Sequence, residues 1–81
     1  LRSNKERIKR IYPDCEIYLF GSVAEGNYDI LSDIDVAIVT NSKEDKRIEI
    51  QKILGMPFEI HLFSKKEWEE IRNKIGKYIK I

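Results

Sequence analysis

Asp33 and Asp35 stand one residue apart at the head of an apolar run, Ile34 to Val39. Side chains on a strand alternate between faces, so the two carboxylates point the same way. Like charges side by side repel each other, and packing gives no reason for them. A shared divalent cation does. Mg²⁺ is a hard ion that takes carboxylate oxygens and commonly completes its shell with phosphate. A pair of such ions clamps the attacking and leaving oxygens of phosphoryl or nucleotidyl transfer. Taken alone, D-x-D is as readily a solvated strand start.

Two further groups bear on that chemistry. Glu59 interrupts the apolar stretch Pro57-Phe58-Glu59-Ile60-His61-Leu62-Phe63. If its strand neighbours that of Asp35, it completes a metal site or activates an attacking hydroxyl. His61 projects to the same side as Glu59 and ranks below the carboxylates, because a lone His more often packs or faces solvent. Upstream, Gly21-Ser22 follows the apolar run Ile17 to Phe20. A strand, a tight glycine turn and a helix start aim backbone N–H groups at an anion, and the Ser22 hydroxyl adds a donor. No Walker A pattern is present.

These residues need elements to position them. Residues 3–12 read as a helix with Ile8, Ile11 and Tyr12 on one face, ended by Pro13-Asp14. Residues 15–20 read as a strand with Cys15, Ile17 and Leu19 opposite Tyr18 and Phe20. Gly26-Asn27 is a turn signal. Residues 34–39 form a second strand, with Ile34, Val36 and Ile38 toward the core. Asn41 and Glu44 suggest a capping box opening a helix to Leu54. That helix should bury Ile48, Ile50, Ile53 and Leu54 and stop at Gly55. Phe58 to Phe63 is a third strand. Ser64 and Glu67 form a second capping box before a helix carrying Trp68, Ile71 and Ile75, ending near Gly76. The tail 77–81 is a candidate edge strand. The fold class is therefore α/β in the α+β sense, a small mixed β-sheet with helices packed on one face. The other face should be exposed and carry Asp33, Asp35 and Glu59.

At 81 residues the chain has room for one domain, 1–81. Its net charge of +1 offers no general case for nucleic acid or a membrane surface. The Lys/Arg runs at 5–10 and 74–80 read as solvated helix faces. One cysteine, Cys15, excludes an internal disulfide and a cysteine-based zinc site, and suits a reducing, cytoplasmic setting. No apolar run approaches ~18 residues, and no secretory signal is visible. The chain opens on Leu1 rather than Met, as a trimmed chain or a fragment would.

Together, Gly21-Ser22, Ala24, Gly26 and then Ser32-Asp33-Ile34-Asp35-Val36-Ala37 resemble the minimal nucleotidyltransferases of the polymerase-β-like superfamily. Their signature is G-S, a spacer and D-x-D, with a third acidic residue on a later strand, here Glu59. The resemblance runs from about Cys15 to Trp68. It implies a nucleotidyltransferase fold and transfer of NMP from an NTP, with ATP expected, to an acceptor hydroxyl. It implies that Gly21 and Ser22 hold the terminal phosphates. Asp33, Asp35 and Glu59 would be catalytic and bind Mg²⁺, as two ions. It also implies a HEPN-type helical partner in a toxin–antitoxin pair, while a homo-oligomer stays open. One position departs: between Ala24 and Gly26 the family commonly carries a basic residue, and here stands Glu25. An acidic residue there opposes a triphosphate. The alternative reading is thus a weak or inactive module that neutralises a partner by binding. A small RNA-binding domain ranks third, since no aromatic stacking motif supports it.

Overall fold

The computed structural model describes residues 2–21 and 34–81. Its elements in chain order are α1 (Arg2–Ile11), β1 (Glu16–Phe20), β2 (Ile34–Val39), α2 (Arg47–Leu54), β3 (Phe58–Phe63), α3 (Lys65–Ile71) and β4 (Tyr78–Lys80). The four strands form one sheet in the order β3-β2-β1-β4. β1 is antiparallel to both β2 and β4, and β2 is parallel to β3. Parallel pairing needs a crossover, and α2 occurs in that link. The tail does form an edge strand, paired to β1 through Tyr18↔Lys80 to Phe20↔Tyr78.

Strand alternation divides the interior in two. Ile17, Val36, Ile38 and Ile60 face one way and bury against Ile8 and Tyr12 beside α1 and against Ile50 and Leu54 of α2. Cys15 joins this cluster as a small hydrophobe, and burial pushes its thiol pKa up. Tyr18, Ala37 and Val39 face the other way and bury against Trp68. The expected helices on one face are thus α1 and α2, while α3 brings Trp68 over the opposite face. That face is not the open surface expected from its carboxylates. Trp68 is 3% exposed and stacks on Tyr18 with ring centroids 4.6 Å apart. Burial, then the Glu16 carboxylate to which it donates, pushes the Tyr18 phenol up to about 12.

The second helix differs most from expectation. It begins at Arg47, not Asn41, and the Lys46 N-cap makes no side-chain capping bond. Residues 41–46 are instead held by tertiary hydrogen bonds. The Tyr12 hydroxyl donates to the Glu44 carbonyl at 2.6 Å and accepts the Lys46 N–H at 2.7 Å. The helix turns Ile50 and Leu54 inward, and Ile48, about 200° round from Ile50, is 73% exposed rather than buried. Gly55 ends the helix with φ +71°, its N–H donating to the Gln51 carbonyl. α3 has its full capping box: Ser64 accepts the Glu67 N–H, and Glu67 accepts the Ser64 N–H. It is shorter than expected, ending at Ile71, and residues 72–74 continue as turns.

Asp14 fastens the end of α1 to the end of β2. Its carboxylate accepts the Thr40 hydroxyl at 2.6 Å and the Asn41 N–H at 3.1 Å. These bonds, the hydroxyl first, hold its pKa below the usual carboxylate value. A depressed folded pKa gives stability that is present above the unfolded value near 3.9 and lost as pH falls through the folded one. Asp14→Asn should therefore unfold at lower urea than the parent at neutral pH, with the gap closing as pH falls through the depressed folded value, below the usual carboxylate range. Urea midpoints measured across pH check this. A gap that persists in acid would remove the Asp14 charge from the account.

Candidate active site

The parallel register of β2 and β3 sets Asp35 beside Glu59 and Ala37 beside His61. All four project from the face that Trp68 partly covers, by strand alternation. Directly beside His61 stands only the methyl of Ala37, so the imidazole reaches diagonally. Its Nε2 lies 3.2 Å from Asp35 Oδ1. One donor atom from each of Asp35, Glu59 and His61 lies within 4.8 Å of the others. Opposite ligands of a single ion are on the order of 4–5 Å apart, so one cation can span the set. Glu59 is exposed and Asp35 half-buried. Glu59 also lines a groove of about 440 Å³ with Gln51, Gly55, Met56 and Phe58.

β1 closes the other side. Phe20 pairs with Asp35, and Gly21 follows at the strand end with φ +81°. A β-carbon built on Gly21 would lie 2.5 Å from Asp35 Oδ2. No side chain fits there without moving the carboxylate. Gly21 thus does more than permit a turn: its bare backbone makes room for Asp35. Asp35 is held between Gly21 on its Oδ2 side and His61 on its Oδ1 side. The imidazole ring has Phe20 at 5.3 Å and Phe63 at 6.3 Å between centroids, the Phe63 ring nearly parallel at 10°. Both phenylalanines contact Trp68, so the ring's support is continuous with the second core cluster.

Of the residues singled out from the sequence, Asp35, Glu59 and Gly21 come together here. Asp33, Ser22 and Glu25 lie outside the described residues. The carboxylate, carboxylate and imidazole donors fit a divalent ion by type and by spacing. His61 is closer to the chemistry than its rank in the sequence reading. Its signal was the two-residue spacing from Glu59, which fixes a shared face.

Carboxylates on the inner strands of a small mixed sheet, set against a glycine at the end of the neighbouring strand, agree with the relationships of the sequence. Residues 1–81 match the nucleotidyltransferase domain, and the chain belongs to that family. It fits the polymerase-β-like superfamily to which its motifs pointed. A crystal structure of a protein assigned as a nucleotidyltransferase is 44% identical, with a TM-score of 0.73, covering 99% of this chain and 95% of that one. A second, from Sulfolobus solfataricus, is 19% identical with a TM-score of 0.69, covering 98% of this chain and 73% of that one. At that identity it speaks to the fold alone. No curated protein matches the sequence. Among the described residues no helix is long and apolar enough to cross a membrane.

Proposed function

We propose that this chain transfers a nucleoside monophosphate from an NTP, with ATP the expected donor, to a hydroxyl on a partner protein. The pairing of Asp35 with Glu59 across parallel strands, with Gly21 against Asp35, carries this reading. Asp35 and Glu59 would hold the divalent ion, Mg²⁺ by resemblance, and Asp33 is expected to join them. When bound, the ion neutralises phosphate charge and stabilises the oxygens that exchange at the α-phosphorus. Gly21 and Ser22 would present backbone N–H groups and a hydroxyl to the terminal phosphates. In the transfer, the acceptor oxygen bonds the α-phosphorus and the bond to pyrophosphate breaks. Glu59, which lines the open groove, would help activate the acceptor by taking its proton.

The partner follows from the family resemblance: a HEPN-type helical toxin, neutralised by the transferred nucleotide, in a cytoplasmic toxin–antitoxin pair. Incubating the chain, a co-purified HEPN-type protein, divalent cation and α-³²P-ATP should label the partner. Chelation should stop the labelling. Absence of label with each of the four NTPs would overturn transfer. Neutralisation of the toxin without any label would instead favour a binding module.

A further inference from the structure

We propose that His61 is itself a ligand of the cation. The site is then a mixed nitrogen–oxygen centre that favours a first-row transition ion such as Mn²⁺ over Mg²⁺. This rests on Asp35 and Glu59 being cation ligands. The imidazole is aimed by three features. Alternation on β3 puts it on the Glu59 face, the small Ala37 leaves it space, and Phe20 and Phe63 fix its plane. Nε2 is the nitrogen that reaches the carboxylates, 3.2 Å from Asp35 Oδ1. Among the described residues Asp35 is its one polar partner. The side chain is about one-third exposed, so an ion can displace water from that edge.

Ligand chemistry separates this site from one made only of oxygen. Mg²⁺ binds oxygen and sheds water reluctantly, whereas imidazole suits first-row transition ions, increasingly so from Mn²⁺ to Co²⁺ and beyond. Replacing a water by imidazole therefore raises affinity for these ions relative to Mg²⁺, least for Mn²⁺, which serves here as the spectroscopic probe, and more for Co²⁺. Ala37, Phe20 and Phe63 carry no charge, and the groups facing His61 among the described residues are Asp35 and Glu59. The cation would replace the contact between Nε2 and Asp35 by bonds from both to itself.

The chain has one histidine, which makes the test unambiguous. Mn²⁺ alone, without nucleotide, is added to the full chain carrying no histidine tag, and electron spin echo modulation is recorded. Directly bonded ¹⁴N is expected in the parent and absent in His61→Gln. The variant should bind Mn²⁺ about tenfold more weakly. The excess of Mg²⁺ needed to displace Mn²⁺ should be larger for the parent than for His61→Gln. Mn²⁺ bound without ¹⁴N coupling, no Mn²⁺ bound at all, or the same Mg²⁺ requirement in parent and variant would each overturn the proposal. The transferase reading fails separately, by loss of labelling from α-³²P-ATP. Labelling that persists with Mg²⁺ in a protein lacking the ¹⁴N signal would leave transfer standing and remove His61 from the metal.

Discussion

Asp35→Asn is expected to lower label transfer by roughly 10³-fold, and Gly21→Ala by roughly 10²-fold, with the fold intact in both. The first removes the negative charge that binds the ion but keeps the size of the side chain. Asparagine can still meet His61, so the sheet has no reason to rearrange. The second change adds only a methyl group, in a place with no room for it. The new β-carbon would lie 2.5 Å from Asp35 Oδ2, well inside contact distance. Either the carboxylate rotates away or the strand end shifts, and both misplace the metal ligand. Backbone strain adds to this, because φ at Gly21 is +81°, where alanine costs about 1 kcal/mol. Thermal melts show whether the fold survives, and transfer assays show the rest. Full activity in Gly21→Ala would mean that Asp35 is not held where the chemistry needs it.

Trp68→Ala should cost about 3–5 kcal/mol of stability. A chain of this size has roughly 4–12 kcal/mol in total, so the variant stands near its unfolding limit at 25 °C. Trp68 is the one buried side chain of α3 and, with Ile71 packed beside it, closes the second face of the sheet. It stacks on Tyr18 and also meets Tyr78, Phe20 and Phe63, tying β1, β3 and β4 to one ring system. Removing it opens a cavity and exposes Ala37 and Val39, which are buried in the parent. Trp68→Phe keeps most of the contact and should lose far less. Urea unfolding should be followed by circular dichroism, since Trp68 is the only tryptophan. A loss below about 1 kcal/mol would show that the second face is closed by something else.

The strands of the site were readable because their pattern is local. β2 and β3 run over 34–39 and 58–63, as alternation and flanking turn residues predicted. Glu59 stood out as a charge in an apolar strand, and its pairing with Asp35 follows once those two strands are neighbours. The start of α2 was not readable, because its cause is distant in sequence. Asn41 and Glu44 look like a capping box, yet Tyr12 and Asp14 hold residues 40–46 by hydrogen bonds from across the fold. Ile48, two residues before Ile50, lies about 200° round the helix from it, so one helix face cannot bury both. Periodicity puts Trp68 on a helix, but it does not say which sheet face a helix will cover. The steric role of Gly21 needed a three-dimensional neighbour, Asp35, that sequence order keeps fourteen positions away.

The pairing of β2 with β3 has a kinetic side. It is parallel, and β3 is an outer strand of the sheet. Contacts between chain segments far apart in sequence form late in folding, and sheet margins are among the first regions to open. Asp35 and Glu59 meet only through that pairing. A folding intermediate with just the β1–β2 pair would hold Asp35 but not Glu59. During refolding, the transfer activity proposed above should consequently return later than most of the secondary structure, and a transient opening of one margin would be enough to part the two carboxylates.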